Sequence, residues 1–142
     1  MTFTNPNPQE ICQIMQTIRN IAVVGLSANQ DRPSYRVASA MQNLGYHIIP
    51  VRPKVAEVLG ETAYPDLASV PLPIDLVDVF RAPEHVPEIV EACIKLGVKY
   101  LWLQDGVIHE EAAQRAQAAG IVVIMDRCIW RDGGMPCGKR NA

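Results

Sequence analysis

No apolar run in these 142 residues approaches the ~20 that a bilayer-spanning helix needs. The opening Met-Thr-Phe-Thr-Asn-Pro has neither a basic nor a hydrophobic region, so a signal peptide is not expected. Charge of one sign is not in excess. Thirteen Lys and Arg stand against fifteen Asp and Glu, a formal charge of −2, which gives no support to a nucleic-acid or anionic-membrane partner. The four cysteines (Cys12, Cys93, Cys128, Cys137) include no C-x-x-C pair, and His47, His85 and His109 lie far apart. A zinc site or a thioredoxin-like motif therefore lacks support, and no metal is expected. Without a secretion signal, four reduced thiols and a cytoplasmic location are the expectation. Disorder is excluded by 49% hydrophobic against 20% charged residues. Repeats and low-complexity linkers are absent as well.

What the chain does contain is an alternating series of apolar patterns. Asn7-Pro8-Gln9-Glu10 has the form of a helix start, with a capping Asn, Pro at the first helical position and Glu at the third. Ile11, Ile14, Met15 and Ile18 then make one buried stripe. Ile21 to Gly25 is a first strand, and Ser34 can cap a helix bearing Val37, Ala38, Met41 and Leu44. Tyr46–Val51, Leu76–Phe80, Val98–Leu103 and Ile121–Met125 are further strands. Helices opened by Pro83 and spanning Ile108–Ala119 separate the last three, while 52–72 is Pro-broken with at most a short helix near Val55–Leu59. Strands of near-continuous Val, Ile and Leu fit a parallel sheet covered on both faces. The expected fold class is α/β, a Rossmann-like doubly wound five-stranded parallel sheet in order 3-2-1-4-5, with helices on both faces. Residues 1–131 are expected to form this single domain, with an N-terminal helix, and 132–142 a flexible tail.

In such sheets ligands bind beyond the carboxyl ends of the strands, near the switch point beside strand one. The loops predicted there carry Arg32, Arg52, Lys54, Arg81 and Arg127, with Arg36 one turn into the next helix. Nearly half the cations of a net-acidic chain thus fall at one edge, which points to an anionic ligand; the alternative is solvated loop arginines. The first loop, Gly25 to Tyr35, has the Gly that lets backbone approach a pyrophosphate and leads into a helix N-terminus. It supplies Ser27, Asn29 and Ser34 as small polar groups and Arg32 as a charged fork. Against G-x-G-x-x-G only Gly25 is in place, and the Lys of a P-loop is missing. A turn whose polar residues satisfy only their own backbone would look the same. After strand two, where an NAD site has an acid for the ribose, Arg52 and Lys54 stand instead. They suit an extra phosphate on the ribose, which NADP and coenzyme A both carry.

From about Ile21 to Ile129 the chain resembles the small stand-alone CoA-binding proteins, related to the N-terminal CoA-binding domain of the succinyl-CoA synthetase α subunit. The resemblance rests on Val24-Gly25-Leu26-Ser27-Ala28-Asn29 with Arg32-Pro33-Ser34-Tyr35-Arg36-Val37, and on Ile49-Pro50-Val51-Arg52-Pro53. It continues in Asp75-Leu76-Val77-Asp78-Val79-Phe80-Arg81, Trp102-Leu103-Gln104 with Gly106, and Met125-Asp126-Arg127-Cys128-Ile129. Two departures are Arg52, in place of a small polar residue, and Asp105, an acid in a loop that should face the ligand. The resemblance implies CoA or acyl-CoA as ligand, bound over the strand-one loop with the adenine near the ends of strands two and three. Gly25, Ser27, Asn29, Arg32, Ser34, Arg52, Lys54, Phe80, Arg81 and Gln104 are the expected binding residues.

Catalytic machinery is not apparent. No G-x-S-x-G elbow exists, and no His is expected at a strand end. His109 reads as a helix-capping or solvated residue and Trp102 as core. Asp75 and Asp78 read as a strand edge and a surface group. Asp126 faces the site or hydrogen bonds to Arg127 or a loop amide. Cys128 is the one thiol at the predicted carboxyl edge. The expected function is a CoA-binding module without its own catalytic site, as a carrier, a sensor or a subunit of an unknown protein partner. The competing readings are an NADP-dependent oxidoreductase, which the basic end of strand two fits equally well, a nucleotide-binding protein, and an acyl-transferring fragment acting with a second chain.

Overall fold

The computed structural model describes residues 2–138. Helix α1 (Pro8–Thr17) begins with the expected capping box. Glu10 N–H donates to Asn7 Oδ1 at 2.8 Å, and Asn7 N–H donates to Glu10 Oε1 at 3.0 Å. Strand β1 (Asn20–Val24), helix α2 (Pro33–Asn43) and strand β2 (His47–Val51) follow. Next comes a hairpin of two-residue strands, β3 (Glu57–Val58) and β4 (Glu61–Thr62), where a short helix was expected. β5 (Leu76–Val79), α3 (Val86–Leu96), β6 (Tyr100–Leu103), α4 (Glu110–Ala118) and β7 (Val122–Met125) complete the alternation.

The five long strands form one parallel sheet in the order β2-β1-β5-β6-β7. The third strand of the sheet therefore lies beside the first, where the sequence reading had it outside the second. Asp75 shows why. Its Oδ2 accepts the N–H groups of Arg19 and Asn20 at 3.0 and 2.8 Å, and Asn20 Nδ2 donates to Pro73 O at 2.8 Å. These bonds fasten the start of β5 to the start of β1. The connection from β2 crosses β1 with a single 3-10 turn, Leu67–Ser69, in place of an α-helix, and all four residues of β5 are buried, as a central strand requires.

Side chains alternate between two cores. On one face Ala22, Val24, Val77, Val79, Leu101 and Leu103 pack with α3 and α4. On the other, Ile21, Val23, Leu76, Trp102 and Ile124 pack with α1 and α2. Each large aliphatic group so buried contributes roughly 1.5–3 kcal/mol relative to exposure. This second core also corrects the expected tail. Residues 129–134 form a wide helical turn that runs into Met135–Cys137 and packs on α1 and α2, with Ile129 and Cys137 buried. Gly133 makes the close approach possible, since a Cβ there would sit 3.1 Å from Trp102 and 3.2 Å from Met15 Sδ. Residues 139–142 of the expected tail lie outside the described residues. The expectation of four reduced thiols is corrected too: Cys12 on α1 and Cys137 form a disulfide, and Cys93 and Cys128 are free. No described helix is long and apolar enough to cross a membrane.

Candidate functional site

All five parallel strands point their carboxyl ends the same way, and the loops there enclose a cleft of about 1020 Å³, a size suited to a sizeable cofactor. β2 contributes Arg52 and Pro53, and β1 contributes Gly25, Ser27 and Asn29, with Arg32, Pro33, Ser34 and Val37 from the start of α2. The β5 end gives Phe80, Arg81 and Ala82, the β6 end Gln104, Asp105 and Val107, and the β7 end Cys128. Of the expected binding residues, Gly25, Ser27, Asn29, Arg32, Ser34, Arg52, Phe80, Arg81 and Gln104 come together here. Lys54 does not line the cleft; it is exposed beyond Pro53.

The loop from Gly25 to α2 holds itself. Gly25 has φ +86°, and a Cβ on it would collide with the Phe80 carbonyl and lie 2.9 Å from Arg81 Cδ. Its N–H donates to Val51 O at 2.9 Å, so the residue is wedged between the ends of β2 and β5. Ser27 N–H donates to Ser34 Oγ at 3.0 Å, Asn29 N–H to Ser27 Oγ at 3.0 Å, and Asp31 N–H to Asn29 Oδ1 at 2.9 Å. Short polar side chains thus bond nearby backbone and fix the turn. Ser34 is not the helix cap: Arg32 occupies that position without a side-chain capping bond, and Pro33 opens the helix. The partial positive charge at the start of this 11-residue helix lies at the cleft, beside Pro33 and Ser34.

Three arginines add full charges. Arg32 is exposed and has no ion pair among the described residues. Arg52 Nη1 donates to Gly25 O at 3.2 Å. Arg81 Nη2 lies 3.0 Å from His85 Nε2, and His85 Nδ1 lies 3.3 Å from Glu88 Oε1. Arg81 donates to Nε2 and the ring's Nδ1–H donates to Glu88 Oε1, so this chain of bonds aims Arg81. His85 and Glu88 escaped the sequence reading, although Arg81, His85 and Glu88 follow at i, i+4 and i+7 through a helical turn. The anomalous Asp105 is answered by Arg131, whose two terminal nitrogens each donate to it at 2.9 Å. That bond holds the Asp105 carboxyl below its ordinary range. Arg36 and Arg127 do not line the cleft.

Other candidates resolve individually. Asp126 Oδ1 accepts Gly106 N–H at 2.8 Å, so it shapes the β6 loop. His109 caps α4, its Nδ1 accepting Ala112 N–H at 3.0 Å. Trp102 is fully buried, with its indole N–H donating to Arg127 O at 2.9 Å. Asp78 is a correction: it is 1% exposed, not a surface group, and its Oδ1 has no hydrogen-bond partner. Its neighbours in register, Val23 and Trp102, belong to the apolar second core, and burial pushes its carboxyl well above the ordinary range. The physical reason is that β5 is central, so neither of its faces reaches water. Among the described residues no group of three or more His, Cys, Asp or Glu is arranged to hold a metal ion.

A doubly wound parallel sheet with an arginine-lined cleft over its carboxyl ends defines a Rossmann-like ligand-binding domain. Within that class the chain belongs to the CoA binding domain family, whose model matches residues 19–133. It is 45% identical over 125 residues to the uncharacterized protein YneT of Bacillus subtilis (strain 168), covering 88% of this chain and 93% of that one. A relative of solved structure, a hypothetical protein from Pyrococcus horikoshii OT3, is 33% identical, with a TM-score of 0.88 and coverage of 96% and 99% of the two chains. The acetate–CoA ligase (ADP-forming) of Methanocaldococcus jannaschii is 28% identical over 81 residues, 57% of this chain but 12% of the ligase.

Proposed function

We propose that the cleft binds coenzyme A or an acyl-CoA, and that the chain is a binding module without a reaction of its own. The observation that carries this is the convergence of Arg32, Arg52 and Arg81 with the start of α2 on one cleft, in a chain of the CoA-binding family. The diphosphate lies over the Gly25–Ser34 loop, held by the positive start of α2 and by Arg32. The adenine lies toward the ends of β2 and β5, where half-buried Phe80 offers a ring to stack on. Arg52 reads the ribose phosphate, its remaining N–H groups free of the Gly25 carbonyl, and Lys54 adds charge from outside the lining. The chain then serves as a carrier, a sensor or a partner subunit, and an acyltransfer role would require a second chain. Ser27, Asn29 and Ser34 are engaged in holding backbone, and no nucleophile–base pair lines the cleft among the described residues, which supports binding over catalysis.

Calorimetric titration of CoA, dephospho-CoA and NADPH tests the reading. CoA should bind tightest. Arg52→Ala should erase most of the preference for CoA over dephospho-CoA, and Lys54→Ala should erase less. Equal affinity of the wild type for CoA and dephospho-CoA would overturn the assignment at Arg52. A preference for NADPH would favour an NADP-dependent oxidoreductase instead.

A further inference from the structure

We propose that Cys128 captures the thiol end of coenzyme A as a mixed disulfide, by exchange with the symmetrical disulfide of that ligand. This rests on the CoA reading of the cleft and extends it to the far end of the molecule.

Two observations at the β6–β7 end carry it. The first is the carboxamide of Gln104, a side chain only 4% exposed. Its Oε1 accepts Ile129 N–H at 3.0 Å, which fixes the group. Its Nε2 has no hydrogen-bond partner among the described residues, yet the residue lines the cleft. The residue is buried and its carboxamide is fixed by the Ile129 bond, so its Nε2 at the cleft wall is a placed donor for a ligand acceptor, and the pantetheine arm carries two amide carbonyls. The second is Cys128, which immediately precedes Ile129, lines the same cleft and is free. The competing sulfurs are removed from the cleft. Cys93 is fully buried in the opposite core, and Cys12 and Cys137 are bonded to each other.

Reach agrees. β7 stands three strands from β1, about 14 Å at a spacing of about 4.8 Å. From the phosphate oxygen to the sulfur, the pantetheine arm has about a dozen bonds, which span about 14 Å at the advance of an extended peptide. With the diphosphate over the β1 loop, an extended arm crosses β5 and β6, passes Gln104 and ends at Cys128.

The step balances without a further oxidant. Cys128 gives its proton to solvent, and its sulfur attacks one sulfur of CoA disulfide. A protein–CoA S–S bond forms as the ligand's own S–S bond breaks, and the second CoA leaves as a thiolate that takes up a proton. Cys128 is oxidised and the departing CoA is reduced.

The test incubates the native chain, its Cys12–Cys137 bond intact, with CoA disulfide and separately with oxidised glutathione. Intact mass and peptide mapping follow the products, and calorimetry with CoA runs in parallel. One CoA should attach to Cys128, at least about tenfold faster than glutathione because binding presents the sulfur to it. Dithiothreitol should release it, and both Cys128→Ser and Cys128→Ala should abolish it. Attachment at Cys12 or Cys137, or equal rates with the two disulfides, overturns the proposal. Absence of an adduct in a protein that binds CoA overturns the capture alone. Absence of CoA binding overturns the reading of the cleft itself.

Discussion

Replacing Gly25 by Ala should unfold the chain more easily and weaken CoA binding together. Two costs add at this residue. Its φ of +86° lies in the left-handed region, where an L-residue with a Cβ costs roughly 1–2 kcal/mol. The added Cβ would also strike the Phe80 carbonyl and sit 2.9 Å from Arg81 Cδ. The first of these neighbours is backbone at the end of a central strand, so relief requires the β5 end to move, an overpacking cost of about 1–3 kcal/mol. The expected total is about 2–5 kcal/mol in urea unfolding followed by the fluorescence of the two tryptophans, Trp102 and Trp130. Gly60→Ala separates the two costs. Gly60 has φ +76°, and a Cβ added there would meet nothing within 4 Å, so it should lose only the conformational part. Because Phe80 and Arg81 line the cleft, CoA affinity should fall in Gly25→Ala and stay unchanged in Gly60→Ala. Equal destabilisation of the two variants would refute the steric argument. A Gly25→Ala protein with wild-type CoA affinity would refute the link from this wedge to the site.

Arg32→Ala should weaken CoA binding about ten- to a hundredfold by calorimetry, since a hydrogen bond to a charged group contributes roughly 1.5–3 kcal/mol; a change below about threefold would remove Arg32 from the diphosphate site. Asp78, its pKa raised by burial, keeps its proton in the folded chain at pH values where the unfolded chain has released it, so the stability it leaves intact below about pH 3.9 is lost as pH rises through the folded-state pKa. Asp78→Asn should therefore gain roughly 1–3 kcal/mol at neutral pH and nothing near pH 3, and an equal effect at both pH values in urea unfolding would show that the carboxyl ionises freely. Acetyl-CoA incubated with the pure protein should be recovered intact, and release of free CoA well above the buffer rate would show a catalytic site in the cleft.

The layered fold was legible because local patterns and tertiary packing agree. The stripe from Ile11 to Ile18 became the buried face of α1, and the near-continuous apolar runs became doubly covered strands. The cleft followed from the rule that such sheets bind at their carboxyl ends, which brought Gly25, Arg52, Arg81 and Gln104 together across about 80 residues of chain. Three features were hidden for physical reasons. A lone Asp in an alternating strand suggests a solvent face, and only the central place of β5 buries Asp78. Gly133 and Gly134 look like breakers, but here they admit the chain against Trp102, Met15 and Met41. The Cys12–Cys137 bond joins positions 125 residues apart, a separation that no local pattern reports.

The first loop shows a subtler limit. Its Ser, Asn and Arg residues all suited a diphosphate by composition, yet the structure divides them into two roles. Ser27, Asn29 and Ser34 bond the loop's own backbone, while Arg32 stands exposed over the cleft without an ion pair among the described residues. The neutral groups thus set where the amides and helix end lie, and the charges decide what sits there. Arg81 repeats the division, with His85 and Glu88 as its support, and Asp105 completes it, because Arg131 meets the one acid that would repel an anionic ligand. Sequence composition reports which side chains can bind a phosphate. Which of them are already occupied depends on bonds to residues 2 to 27 positions away, and those follow only from the fold.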